Sequence, residues 1–125
     1  MTTDATEAAA LKQGMLVIIE SPYAGDIEAN TAYARRAMRD SLELGEYPIA
    51  SHLLYPQPGV LDENTPAERQ WGINAGLAWR KVADRAVFYV DRGWSGGMKA
   101  AKAVYDAEGF PYVLRAFELK DHADD

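Results

Sequence analysis

Residues 15–22 read Met-Leu-Val-Ile-Ile-Glu-Ser-Pro, a continuous apolar run of five residues followed by Glu20, Ser21 and a proline. A strand with one wet face alternates polar and apolar residues, whereas a continuous run indicates a strand buried on both faces. We therefore predict a central strand over Met15–Ile19. It stops before Pro22, because proline cannot donate a hydrogen bond to a neighbouring strand.

Segments of strand length and segments of helical period alternate along the rest of the chain. Strands are expected at Ile49–Tyr55, Ala86–Val90 and Tyr112–Arg115, and helices at 27–42, at 66–82 and from about Gly96 to Gly109. This βαβαβαβ order is typical of an α/β fold, in which helices cover both faces of a parallel sheet. Because the crossovers of such folds are right-handed, the strand order should be 2-1-3-4.

The first two helices carry further sequence signals. In the first, apolar or small residues recur three and four apart and are expected to face the sheet: Ile27, Asn30, Ala34, Ala37, Met38 and Leu42. In the second, Thr65 and Glu68 have the spacing of a capping box, with Thr65 as the N-cap. Gly72 and Gly76 lie one turn apart and predict that another segment approaches this helix closely.

Length and composition indicate one ordinary globular domain. The chain has 125 residues, and we expect a single domain over 14–119 between flexible segments at 1–13 and 120–125. The formal net charge of −6 argues against duplex nucleic acid as a partner, because neutralising phosphates requires clustered Lys and Arg. The chain has no cysteine and two histidines, so we expect neither a metal site nor an organic cofactor.

No segment is typical of a membrane or secreted protein. The longest apolar run, Met15–Ile19, is far shorter than the roughly 20 residues that span a bilayer. The first residues include Asp4 and Glu7 and lack the basic start and apolar centre of a secretory signal. We expect no membrane partner and a cytoplasmic location.

The residues best suited to bind a ligand or to take part in catalysis follow the first and third strands. Open parallel sheets bind ligands outside the carboxyl ends of their strands, where the strand order reverses, which here is between strands one and three. The candidate ligand-binding residues at these ends are Ser21, Tyr23, Gly25 and Asn30 after the first strand, and Gly93, Trp94, Ser95, Gly96, Gly97 and Met98 after the third. Asp91, directly after the third strand, is a candidate catalytic residue.

Each of these candidates also has a structural explanation. The backbone of residues 95–97 could cradle a phosphate or carboxylate at a helix N-terminus, or it could form only a tight turn. Trp94 and Tyr23 could stack on a base or sugar, or they could pack in the core. Asp91 could orient a sugar hydroxyl or cap the next turn.

Glu68 is the second candidate catalytic residue. It has a structural explanation as the partner of the Thr65 cap, yet it precedes the small-residue face of its helix and could project toward the site. His52 is assigned a structural role, because a lone histidine in a strand is more often structural than catalytic. The sequence contains no Ser-His-Asp order.

Three groups of residues together carry a family resemblance. They are Ser21-Pro22-Tyr23-Ala24-Gly25 with Asn30, then Trp79, Ala83-Asp84 and Tyr89-Val90-Asp91, then Gly93, Ser95 and Gly97-Met98. Over about residues 15–115 the sequence resembles the nucleoside 2-deoxyribosyltransferase-like superfamily. It is most similar to small bacterial and phage members that share a D-x-G-x-S-x-G-M turn.

The resemblance implies a three-layer flavodoxin-like or Rossmann-like fold that binds a nucleoside or nucleotide. Relatives cleave or exchange the bond between base and deoxyribose, and they are usually homo-oligomers whose neighbouring subunits help to close the site. The region of Trp71, Gly72, Gly76 and Trp79 could form such an interface or pack within the subunit.

One departure from the superfamily bears on activity. Its enzymes use a glutamate at the start of the helix after the glycine turn as nucleophile, but here that helix begins Met98-Lys99-Ala100-Ala101. Under one hypothesis another acid, Glu68 or Glu20, substitutes, and the protein is an N-glycosidase or deoxyribosyltransferase. Under the other, it is a non-catalytic module that senses or sequesters a nucleotide. The sequence leaves both hypotheses open.

Overall fold

The computed structural model describes residues 14–117. The expected flexible segments, 1–13 and 120–125, lie outside the described residues. Within 14–117, no helix is long and apolar enough to cross a membrane.

Strands and helices alternate in the predicted order. The strands are β1 (Leu16–Glu20), β2 (Tyr47–Ile49), β3 (Arg85–Tyr89) and β4 (Tyr112–Arg115), and the α-helices are α1 (Ile27–Glu43), α2 (Pro66–Ala78) and α3 (Gly96–Glu108). All neighbouring strands are parallel, in the order β2-β1-β3-β4. This confirms the predicted α/β class and strand order.

The second strand is shorter and earlier than predicted. We expected Ile49–Tyr55, whereas β2 pairs with β1 only over Tyr47–Ile49 and residues Ser51–Leu53 form a 3-10 turn. An apolar run is compatible with a strand or with a buried helical turn, and here Leu53 reaches the core from the turn. The prediction for this strand was therefore wrong for residues 50–55.

Two apolar cores lie on the two faces of the sheet, and β1 contributes to both. Val17 and Ile19 belong to the cluster that includes Tyr33 of α1, whereas Ile18 packs with Tyr105 of α3. All three β1 residues are at most 2% exposed. Fully burying each such side chain contributes roughly 1.5–3 kcal/mol, so β1 anchors both layers.

The buried face of α1 is more polar than predicted. Its buried residues are Asn30, Tyr33, Ala34, Ala37 and Ser41. Ile27 and Leu42, expected to face the sheet, are 43% and 51% exposed. Asn30, Ala34 and Ala37 are buried as predicted, and the buried face also includes Tyr33 and Ser41, whose hydroxyls donate to Asp91 and Glu46.

A buried carboxylate joins α1 to the sheet. Glu46 accepts hydrogen bonds from Ser41, from Arg85 and, through both oxygens, from Arg115, at 2.7–3.0 Å. Burial favours the neutral acid, but these hydrogen bonds outweigh it and lower the pKa of Glu46 to about 2. The charged form is therefore an integral part of the fold.

The start of α2 is as predicted, with Thr65 at the N-cap position, but the side-chain hydrogen bond expected of that cap is absent. The helix begins at Pro66, but the Thr65 hydroxyl donates to Asp62 (3.0 Å) and Glu68 Oε1 accepts from the Asp62 backbone N–H (2.9 Å). The predicted capping box is therefore wrong, because the preceding loop supplies both partners. The α-helix ends at Ala78, four residues earlier than expected, and continues as a 3-10 turn.

The expected close approach at the α2 glycines is confirmed. A Cβ atom built on Gly76 would lie 2.7 Å from Cβ of Ser51, and one built on Gly72 would lie 3.3 Å from a methyl group of Leu61. Both glycines therefore contact the segment between β2 and α2 of the same subunit.

We predict that Gly76→Ala lowers the free energy of unfolding by about 1 kcal/mol. Overpacking costs about 1–3 kcal/mol and exceeds the gain of about 1 kcal/mol in helix propensity. Gly96→Ala is the matched control, because its Cβ would meet no atom of the described residues within 4 Å. Urea denaturation of both variants measures the difference, and equal stability would contradict the close approach.

Candidate active site

A cavity of about 380 Å3 opens beside the carboxyl end of β1 and the start of α3. Its walls come from the end of β1 and the following loop, the turn after β2, the loop before α2, one face of α2, and the first turns of α3. This is the position at which open parallel sheets bind ligands. The topology therefore brings the two predicted loops to one cavity.

The cavity gathers some of the predicted site residues and leaves out others. Tyr23, Glu68, Ser95, Gly96 and Gly97 line it. Ser21, Gly25, Asn30, Asp91, Gly93, Trp94 and Met98 are not among its lining residues. Roles in ligand binding for this second group stay predictions.

Glu20 forms part of the cavity wall and is its most perturbed acid. It is the last residue of β1, is 8% exposed, and accepts a 2.5 Å hydrogen bond from the Tyr105 hydroxyl. Burial raises the pKa of Glu20 to about 7, although the Tyr105 hydrogen bond opposes that rise. An acid that holds its proton near neutral pH is suited to proton transfer.

The sequence alone suggests Glu20 only as a substitute nucleophile. The available signal was a single acid that closes a continuous apolar run at the carboxyl end of a central strand. That pattern predicts burial, but it does not show that Tyr105, 85 positions later, holds the carboxyl group.

An aromatic pair forms another part of the wall. The rings of Tyr23 and His52 stack with centroids 5.1 Å apart and planes 18° from parallel, and the Tyr23 hydroxyl donates to the Pro56 carbonyl at 3.3 Å. Burial lowers the pKa of His52 to about 4, so its ring is neutral at pH 7. The pair offers a flat, uncharged surface to a ligand ring.

The glycine turn brings backbone to the cavity. Ser95 is the N-cap of α3, and its Oγ accepts from the Met98 backbone N–H at 3.2 Å. Gly96 and Gly97 follow it along the cavity wall, with no side chains to fill the space. Met98 is only 1% exposed and belongs to the core, and Trp94 packs on Phe88 with ring centroids 5.0 Å apart.

Asp91 connects three segments of the fold through hydrogen bonds. Its Oδ1 accepts from the Tyr33 hydroxyl at 2.7 Å, and its Oδ2 accepts from the Phe117 backbone N–H at 2.8 Å. It thereby connects the end of β3 to α1 and to the chain after β4. A carboxylate held through both oxygens positions the surrounding loops.

Asn30 has a similar role in the first loop. Its amide donates to the carbonyls of Tyr23 and Ala24 at 3.1 and 3.2 Å, and its Oδ1 accepts from Arg92 at 2.9 Å. The loop that carries Tyr23 into the cavity is thus held by a side chain of α1.

Charged residues of the loop before α2 and of α2 itself line the outer wall. Arg69 Nε lies 3.1 Å from Glu63 Oε1, and Glu68 accepts from the Asp62 backbone. Among the described residues, no group of three or more His, Asp or Glu is placed to hold a metal ion.

A family model described as a domain of unknown function (DUF7768) matches residues 15–115. The chain belongs to this family. The match spans all four strands and all three α-helices, and with them the residues that line the cavity. A search of curated proteins gives no significant match.

The DUF7768 domain is also similar in structure to a 2-deoxyribosyltransferase from the psychrotolerant bacterium Bacillus psychrosaccharolyticus. The TM-score is 0.57, the match covers 81% of this chain and 72% of that one, and the sequences are 17% identical. At this identity the likeness shows a shared fold. Membership of the superfamily and the functional meaning of the D-x-G-x-S-x-G-M turn stay predictions.

We predict that Glu20→Gln removes a pH dependence of stability. The pKa of Glu20 is about 7 in the folded chain and near 4.5 when unfolded, so its contribution to the free energy of unfolding is complete below pH 4.5. This contribution, about 3 kcal/mol in total, is lost as pH rises through 7. The variant should therefore gain stability relative to the wild type between pH 5 and pH 8.

The comparison of variant with wild type separates the effect of Glu20 on the pH dependence of stability from the effect of His52. The lowered pKa of His52 acts in the opposite direction, since its contribution is lost as pH falls from 6.5 to 4. Denaturant melts of both proteins at several pH values provide the measurement. Parallel stability curves would show that Glu20 is not buried as an acid.

Proposed function

We propose that this domain binds a nucleoside or nucleoside monophosphate in the cavity and breaks its N-glycosidic bond, releasing the base or transferring the sugar. The observation that carries the proposal is the presence of two carboxyl groups in different environments, Glu20 and Glu68, on one cavity. The fold likeness to a 2-deoxyribosyltransferase supports the same class of reaction.

The cavity suits a ligand with one flat ring system and one polar sugar. Its volume of about 380 Å3 lies within the range of about 300–1,000 Å3 of small-molecule sites. The base would stack on the wall formed by Tyr23 and His52. The sugar would face the backbone of Gly96 and Gly97, which approaches without side chains.

Two carboxyl groups in unlike environments can divide the chemistry between them. Glu20, protonated below about pH 7, would donate its proton to the leaving base. As the bond from C1′ to the base nitrogen breaks, that electron pair stays with the base. The Glu68 carboxylate would attack C1′ and hold the sugar as a covalent ester.

The second half of the reaction would restore both acids. Water, or the nitrogen of a second base, attacks C1′, and the bond to Glu68 breaks with its electron pair returning to the carboxylate. Glu20 takes up the proton that the attacking group loses. Tyr105 would act as a positioning residue that holds Glu20 in place through its hydroxyl.

The second candidate function is ligand binding without chemistry. It is favoured by the first turns of α3, where Ala100 and Ala101 line the cavity. The enzymes that this sequence resembles carry their nucleophilic glutamate at the start of the corresponding helix. In this alternative Glu20 and Glu68 only contact the ligand.

We predict that the purified protein releases free base from one or more 2′-deoxynucleosides or their 5′-monophosphates. Glu20→Gln and Glu68→Gln should each lower the rate by about 10²–10⁴-fold, because each removes an acid that takes part in bond breaking. Glu43→Gln is the matched control, since Glu43 is an exposed residue at the end of α1. Chromatography of timed incubations measures the base.

The possible outcomes separate the two candidates. Binding that calorimetry detects, with the ligand recovered unaltered, would favour the second candidate function, ligand binding without chemistry. Full activity in both cavity variants would overturn the roles given to Glu20 and Glu68. A wild type that neither binds nor cleaves any member of the panel would show that the proposed function is wrong.

A further inference from the structure

The charged side chains on the cavity wall are mostly acidic. Glu20, Glu63 and Glu68 line it, and Arg69 is the single basic side chain among its lining residues in the described chain. A phosphate site usually presents arginine or lysine side chains to the phosphate oxygens. The composition of this wall is the reverse.

The one arginine is already engaged. Arg69 Nε lies 3.1 Å from Glu63 Oε1, and both residues line the cavity. A phosphate bound at the remaining N–H groups of the guanidinium would lie next to the Glu63 carboxylate, in a cavity that Glu68 also lines.

The helix N-terminus beside the cavity is also capped from within. Phosphates bind helix N-termini through the free backbone N–H groups of the first turn. Here Ser95 Oγ accepts from the Met98 N–H at 3.2 Å. The serine oxygen therefore already satisfies the third N–H of α3.

We propose that the cavity selects free nucleosides and discriminates against their 5′-phosphates through the Glu63 and Glu68 carboxylates, an inference that rests on the proposed function. A nucleoside carries no charge, whereas a phosphate monoester brings nearly two negative charges at neutral pH. In a partly enclosed cavity each nearby carboxylate repels that charge more strongly than it would in bulk water. The Glu63–Arg69 pair therefore acts as a specificity determinant.

The test compares equilibrium binding of 2′-deoxyadenosine with that of 2′-deoxyadenosine 5′-monophosphate, and likewise for the other three bases. We expect the wild type to bind the nucleoside about tenfold or more tightly than the monophosphate at low salt. For a ligand that is turned over, kcat/KM replaces the binding constant.

Glu63→Gln should narrow this preference by about tenfold, because it removes one carboxylate and frees the Arg69 guanidinium for the phosphate. Glu43→Gln is a closely matched control, since it frees Arg39 from an exposed ion pair of 2.8 Å away from the cavity lining. A gain in monophosphate affinity confined to Glu63→Gln supports the inference. Equal changes in the two variants would overturn it.

A second measurement needs no variant. Raising salt from about 50 to about 500 mM should narrow the wild-type preference, because ions screen the repulsion from partly exposed carboxylates. Wild-type protein that binds the monophosphate as tightly as the nucleoside would overturn the inference and leave the proposed function standing. Binding of neither ligand would overturn the proposed function itself.

Discussion

The burial of β1 on both faces is the constraint on which the rest of the structure depends. β1 pairs with β2 along one edge and with β3 along the other, and its side chains alternate between the two cores. After its exposed first residue, Leu16, the strand is buried from Val17 onward, and this burial includes its last residue, Glu20. The desolvation that stabilises the sheet is thus the same effect that raises the pKa of Glu20.

Three other polar groups make this arrangement rigid. Asp91 connects the end of β3 to α1, Asn30 holds the loop that carries Tyr23, and Glu46 ties α1 to Arg85 and Arg115. Each makes several hydrogen bonds, so residues that do not themselves line the cavity hold the segments around it. Precise positioning of the cavity wall is what a binding or catalytic site needs.

The fold could be predicted from the sequence where one pattern had one structural meaning. A continuous apolar run predicted β1, and alternating segments with right-handed crossovers predicted the strand order. The prediction failed where local patterns were ambiguous or partners were distant: residues 50–55 formed a 3-10 turn, and Thr65 and Glu68 both bonded to Asp62.

The candidate site shows the same limit. The glycine turn was predictable because Ser95 and Gly96 are adjacent, whereas the partners of Asp91 lie 58 and 26 positions away.

Two features of the cavity wall are physically linked, the small side chains in the first turns of α3 and the buried acid at the end of β1. Ala101 belongs to the same core cluster as Tyr105, and Tyr105 holds the buried Glu20 carboxyl group. Ala101 is itself only 6% exposed, so a carboxyl group introduced at this position would also be desolvated, and its ionisation would be disfavoured. In the proposed function, the nucleophilic role therefore falls to Glu68, which lines the same cavity from α2.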